Sequence, residues 1–139
     1  MATAQLTSQL DAQLTGKPLY PGLLKQRFSD WKDGDEYSSY WFGRDSTDPQ
    51  TKLSHVHLVP LNDQVALAEW DRFWRKPREC HRRRSDCYLM YACDAKHGHL
   101  LIALLADPGA HNLWKPSHRQ LLTSLETVAE NFIFAGAVP

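Results

Sequence analysis

His55 and His57 stand two residues apart in SHVHLVP, residues 54–60. On a strand that spacing turns both imidazoles to one face and Val56 and Leu58 to the other. Imidazole titrates nearer neutrality than any other side chain, so such a pair can move a proton or ligate a metal. A metal needs a third ligand, and no HExxH or similar pattern supplies one. Two solvent-facing histidines on a half-buried strand explain the spacing equally well. His111 stands in DPGAHNLWKP, residues 107–116, beyond a Pro-Gly turn that ends an apolar run. It therefore falls on a loop at a strand end, where functional side chains are commonly held, although an exposed loop histidine fits as well. In FGRD, residues 42–45, Arg44 could fork onto a phosphate and Phe42 could stack on a base. Equally, Arg44 and Asp45 could pair within a loop while Phe42 enters the core.

The stretch RKPRECHRRRSDCYLMY, residues 75–91, is more concentrated. Its first ten residues hold six Lys/Arg and one Glu, and an apolar run follows at once. Arg75, Lys76, Arg78, Arg82, Arg83 and Arg84, with His81, adjoin the aromatics Phe73, Trp74, Tyr88 and Tyr91. A basic cluster interleaved with aromatics is a nucleic-acid footprint, and it outweighs the alternative of a solvated charge run. Asp86 and Tyr88 share a strand face if a strand begins here. The spacing predicts Arg84 at an exposed rim beside phosphate, with Arg82 and Arg83 supplying longer-range attraction.

The elements that must position these residues are legible in outline. Leu6, Leu10 and Leu14 predict a short helix over 4–14, and Leu24, Phe28 and Trp31 a second over 21–33 closed by Gly34. DGDEYSSYWFGRDSTDPQTK is rich in turn formers and reads as a loop, yet Tyr37, Tyr40, Trp41 and Phe42 must pack on something. Residues 54–60 read as a strand ended by Pro60. Asn62 or Asp63 then caps a helix with Leu67, Trp70 and Trp74 on one face. DCYLMYACD and HLLIALLAD, joined by AKHG, predict an antiparallel hairpin whose second, wholly apolar strand is central. Ser117 and Gln120 form a capping-box pattern before Leu121, Leu125, Val128 and Phe132, a helix expected to lie on the sheet. The sum is an α+β protein: a small antiparallel sheet, one strand plus a C-terminal hairpin, packed with helices.

The 139 residues suit one domain, 1–139, with a helical N-terminal part at 1–39 and a core at 40–135. Net charge is zero, but residues 1–71 hold six Lys/Arg against ten Asp/Glu and residues 72–139 hold ten against six. Such a division suits one anionic partner surface. No apolar run approaches the roughly 20 residues that span a bilayer. The first residues lack a secretory pattern, which predicts a cytoplasmic protein without membrane contact. Cys80, Cys87 and Cys93, an odd count without CxxC, predict reduced thiols.

Taken in order, FGRD at 42–45, HVHL at 55–58, RRSDCYLMYA at 83–92, LLIALL at 100–105 and DPGAH at 107–111 resemble the YafO-type toxins of bacterial type II toxin–antitoxin systems. The resemblance covers roughly residues 40 to 132. It implies a RelE-like ribonuclease architecture and an mRNA interferase that cuts message on the translating ribosome, needs no metal or other cofactor, and is silenced by a cognate antitoxin. Carried over residue by residue, it points to Phe42, Gly43, Arg44, Asp45, His57, Arg84, Asp86 and His111. The chain departs from such toxins in its zero net charge and in residues 62–84, which are longer and richer in Trp and Arg. Metal-free RNA cleavage uses the 2′-hydroxyl as nucleophile, a base for its proton, a donor for the leaving 5′-oxygen and cations for the phosphorane charge. Arg44, His57, Arg84 and His111 are the catalytic candidates on that reading; Phe42, Asp45, Arg82, Arg83, Asp86 and Tyr88 are the RNA-binding ones. A non-catalytic RNA- or ribosome-binding protein using residues 75–84 is the alternative. A weaker one is a metal protein built on His55, His57, His97 and His99.

Overall fold

The computed structural model describes residues 3–34, 39–76 and 78–139. Tyr37 lies outside them, as does Pro77, and nothing is described of the Cys80 side chain. Among the described residues, five strands form one mixed sheet in the order β1-β5-β4-β3-β2. They are β1 (Ala4–Leu6), β2 (Phe42–Thr47), β3 (Leu53–Leu58), β4 (Tyr88–Asp94) and β5 (Gly98–Leu105), with β1 parallel to β5 and every other pair antiparallel. The helices α1 (Ser8–Leu14), α2 (Pro21–Asp33), α3 (Gln64–Trp74) and α4 (Arg119–Ala135) pack with it. The α+β expectation holds, with a sheet larger than the three strands read from the sequence.

Alternation along the strands sends side chains to two cores. Val56, Leu89, Tyr91 and Leu101 join Leu10 and Leu14 of α1 and Leu24, Phe28 and Trp31 of α2 on one face. Tyr88, Met90, Leu100 and Ile102 join Leu125, Ala129 and Phe132 of α4, with Ala110 and Leu113 of the preceding 3-10 turn, on the other. The hairpin β4–β5 forms as expected, but β4 is the middle strand of the sheet; β5 is interior because β1 covers its far side.

β1 is a correction: residues 4–14 are not one helix. Thr7 makes the break, its hydroxyl donating to the Ile102 carbonyl at 2.8 Å and accepting from the Leu10 N–H at 3.2 Å. It thus caps α1 while tying the preceding residues to the open edge of β5, whose ladder groups outbid three more residues of marginal helix. β2 is a second correction, since FGRDST lies within the expected loop. Its polar residues suit an edge strand, and Asp48 closes the hairpin to β3 by accepting from Gln50 and Thr51 N–H groups. The capping box before α4 does not form. His118 occupies the cap without a side-chain bond, and the Ser117 hydroxyl lies 3.0 Å from His118 Nδ1. α3 starts as expected, with the Asp63 carboxylate accepting from Val65 and Ala66 N–H groups. Cys87, buried, and Cys93, exposed, are free thiols.

Candidate functional site

The α4-facing side of the sheet carries a patch of histidine and tyrosine that runs on from the core packed under the helix. His55 and His57 project together from β3, their ring centroids 5.9 Å apart. Tyr88, opposite His57 in the β3–β4 register, lies 4.8 Å from the His57 ring and 5.0 Å from that of His55. His111 arrives from the 3-10 turn Ala110–Trp114, 5.6 Å from Tyr88 and 6.3 Å from His57. Trp114 closes the other end 4.9 Å from His55, and its indole N–H donates to the Tyr88 hydroxyl.

Asp86 fixes His111. Its carboxylate accepts the Gly109 N–H and, at 2.7 Å, the His111 N–H, while its carbonyl accepts the Ala110 N–H. Gly109, at φ 118°, supplies the left-handed turn that aims these groups at one residue. The same carboxylate lies 2.7 Å from His111 Nδ1, which leaves Nε2 to face outward from an exposed ring. Burial opposes charge on Asp86, but the hydrogen bonds from His111 and Gly109 outweigh it and hold its pKa below the ordinary value.

His57 is the opposite case, 5% exposed. Ser85 holds its Nδ1, with the Ser85 backbone N–H and carbonyl oxygen each at 2.8 Å: the nitrogen accepts from the N–H in one tautomer and donates to the carbonyl in the other. The Ser85 hydroxyl bridges the carbonyls of Leu58 and Cys87, locking this segment to β3. Burial drives the His57 pKa down to about 4; the Ser85 carbonyl works against this, and the charges of His55, His111 and Arg44 add to it. His57 is therefore neutral at pH 7. Burial lowers His55 too, opposed by Asp45 and assisted by Arg44 and His111.

The cations come from β2 and from the segment before β4. Arg44 and Arg84, both exposed, line a cleft of about 330 Å³ with Gly43, Asp45, His81 and Arg82. Gly43 is demanded by close approach. A Cβ there would lie 2.2 Å from the Arg83 carbonyl oxygen and 2.8 Å from the Trp70 ring, where the Arg44 N–H donates to the same carbonyl at 2.8 Å. Among the described residues no ion pair engages Arg44, Arg82 or Arg84.

Arg44, His57, Arg84, Asp86 and His111, drawn from four parts of the chain, thus meet at one place. Arg82 is exposed beside them. Three expected RNA contacts are corrected. Phe42 is 0% exposed and stacked on Trp31 at 4.7 Å on the other side of the sheet, so it cannot take a base. Arg83 is 2% exposed: its guanidinium donates to the carbonyls of Ser39, Tyr40 and Phe42 and sits 4.2 Å from the Trp70 ring. It is a structural cation, not a steering one. Tyr88, 2% exposed, is a floor beneath the histidines rather than a contact surface. Asp45 borders the cleft, but its carboxylate accepts from the Tyr91 hydroxyl at 2.7 Å and pairs with Lys32 at 3.5 Å. Ser85 and Trp114 were missed. Only the adjacency of Ser85 to Asp86, and of Trp114 to His111, hinted at them. The four-histidine metal reading is also corrected: His97 packs on Phe132 and pairs with Asp94, and His99 packs on Phe28. Among the described residues no three His, Cys, Asp or Glu converge to hold a metal.

Among the described residues, the cleft lined by Arg44, Arg82 and Arg84 thus carries no acid paired with these arginines. The sequence model of one family, described as toxin YafO of type II toxin–antitoxin systems, matches residues 29–134. The chain belongs to that family and is the toxin component of such a system, whose protein partner is an antitoxin. No curated protein and no solved structure matches the chain. Among the described residues no helix is long and apolar enough to cross a membrane.

Proposed function

We propose that this toxin is a ribosome-dependent mRNA interferase, an endoribonuclease that cuts message during translation without a metal. The observation that carries the reading is the convergence of Arg44, His57, Arg84 and His111 on one side of the sheet, with His57 and His111 6.3 Å apart. The 2′-hydroxyl loses its proton to His57, which is neutral at pH 7 and so can accept one. The 2′-oxygen attacks the adjacent phosphorus, the bond to the 5′-oxygen breaks, and His111 Nε2 returns a proton to that oxygen. A 2′,3′-cyclic phosphate and a 5′-hydroxyl result. Arg44 and Arg84 offset the charge that develops on the phosphorane oxygens. A base as weak as His57 suffices where the ribosome presents the RNA already aligned, since positioning supplies much of the rate.

Expression of the protein alone in bacteria, followed by mapping of mRNA ends, tests this. Growth arrest with new 5′ ends inside translated messages is the expected result; arrest with intact message overturns it. A non-catalytic RNA- or ribosome-binding protein is favoured by one observation, the exposure of Arg75, Lys76, Arg78, Arg82 and Arg84 together. That protein would keep its effect on cells after His111→Ala, whereas the nuclease would not. The antitoxin is expected to cover the cationic cleft with an acidic segment that folds on binding.

A further inference from the structure

A second cavity, of about 490 Å³, opens between α3 and residues 79–85. It shares Arg82 and Arg84 with the cleft described above, and His111 also lines it. Its size falls in the range of small-ligand sites. Ala66 and Phe73 give it an apolar wall, with Trp70 behind them. Its polar groups are mixed in sign: Glu69 and Glu79 stand in it alongside Arg82 and Arg84. Among the described residues the ion pair of Glu69 is a 3.8 Å contact to Arg72 on the exposed helix surface, a weak tie.

Two carboxylates are out of place in a channel for phosphates, because they repel the backbone that the arginines attract. They fit a nucleobase. An unstacked base offers its faces to an aromatic wall and its edges to side chains, which is how single-stranded RNA is read. Guanine presents O6 and N7, which an arginine can grip with two bonds, and on its remaining edge N1–H and N2–H, which a carboxylate can accept together. Adenine, cytosine and uracil each lack one of these paired edges. We propose that this cavity is a guanine subsite that holds the base next to the scissile phosphate and so biases where the toxin cuts. The proposal rests on the nuclease reading for its consequence, since His111 and Arg84 place the occupant beside the reacting phosphate, but not for binding itself.

Two measurements separate the two. Amide and indole NMR spectra of the purified toxin are recorded with guanosine, adenosine, cytidine and uridine 5′-monophosphates in turn. Shifts centred on Ala66, Trp70 Nε1, Phe73 and Ser85, about tenfold stronger in affinity for the guanosine nucleotide, are expected. Ala66→Trp, which fills the cavity from an exposed helix, should remove them. Cut sites are then mapped for the wild type and for the Glu69→Gln/Glu79→Gln double variant. A guanine at one fixed position beside the cut is expected in the wild type, and its preference should fall about tenfold in the variant while total cleavage stays within a few-fold. Guanosine nucleotide shifts without cleavage would retain the subsite and remove the nuclease. Cleavage with no base preference, or with one that the double variant leaves intact, overturns the subsite and keeps the nuclease. Equal or absent shifts with all four nucleotides overturn it as well. Shifts at Ala66 and Phe73 produced only by the antitoxin would assign the cavity to the protein partner instead.

Discussion

The two sides of the sheet use similar residues to opposite ends. Toward α1 and α2, Phe28, Trp31, Phe42 and Tyr91 pack edge to face and stacked, with centroids 4.7 to 6.1 Å apart. The charge that enters there is answered within the fold. Lys32 lies 4.0 Å from the Trp31 ring and donates to the Tyr91 hydroxyl at 3.0 Å, and that hydroxyl donates to Asp45. Burial first, then Asp45, raises the Tyr91 pKa well above the ordinary tyrosine range, so its hydroxyl stays protonated and able to donate. Toward α4 the aromatic residues are again packed, but Arg44, Arg82 and Arg84 at their rim have no acid paired with them among the described residues. One side has closed its electrostatics; the other leaves them open for something outside. Net charge registers neither condition.

The neighbours Arg83 and Arg84 test this difference most severely. Arg83→Ala removes a donor from three backbone carbonyls, of which that of Tyr40 keeps the Trp70 indole N–H, and opens a space between Trp70 and Trp74. It should destabilise the protein by about 3 kcal/mol or more, and a urea melt reads it. Arg84→Ala should shift that melt by no more than about 0.5 kcal/mol and yet abolish mRNA cleavage. Similar outcomes for both would erase the contrast between closed and open sides.

His111→Ala should reduce cleavage about 10²- to 10⁴-fold with the fold intact. Asp86→Asn should lower it less, because the backbone N–H groups of residues 109 and 111 keep an acceptor while the hold on His111 Nδ1 weakens. Single-turnover rates on programmed ribosomes measure both, and an undiminished Asp86→Asn enzyme would remove Asp86 from the positioning of His111.

His57 gives a pH signature. Its pKa is about 4 in the folded chain and ordinarily 6.5, so between those values the unfolded chain binds more protons. Stability is complete above about pH 6.5 and declines as pH falls toward 4, by up to about 3 kcal/mol from this group. His57→Gln should flatten that decline in melts taken between pH 4 and 7; an unchanged slope would mean the ring is wetter than its burial implies.

The smallest effect belongs to Arg82. Arg82→Ala should leave stability unchanged, weaken ribosome association modestly, and lower the slope of log affinity against log salt by about 1. No change in slope would place Arg82 away from phosphate.

Local signals determined much of this protein. The 3.6-residue spacing of Leu24, Phe28 and Trp31 marks α2, and Asp63 before an apolar face marks the start of α3. The Gly-containing link at 95–98 marks the β4–β5 hairpin, and the two-residue spacing of His55 and His57 puts them on one face. These patterns are properties of a dozen residues or fewer, so they survive without a partner. What only the tertiary structure decided is where unlike outcomes follow from like residues. Nothing in RRR at 82–84 says that the middle arginine is buried and its neighbours exposed; three carbonyls at residues 39, 40 and 42 and the ring of Trp70 decide it from far along the chain. Leu6, Leu10 and Leu14 suit a helix until the free edge of β5 claims residues 4–6 as a strand. Phe42 and Arg44, two residues apart on an ordinary strand, would share a face. The irregular register between Phe42 and Asp45, imposed where Gly43 presses on the Arg83 backbone, sends one to the core and the other to the cleft. Burial is a property of the neighbours a residue meets, and those neighbours are chosen by the whole fold.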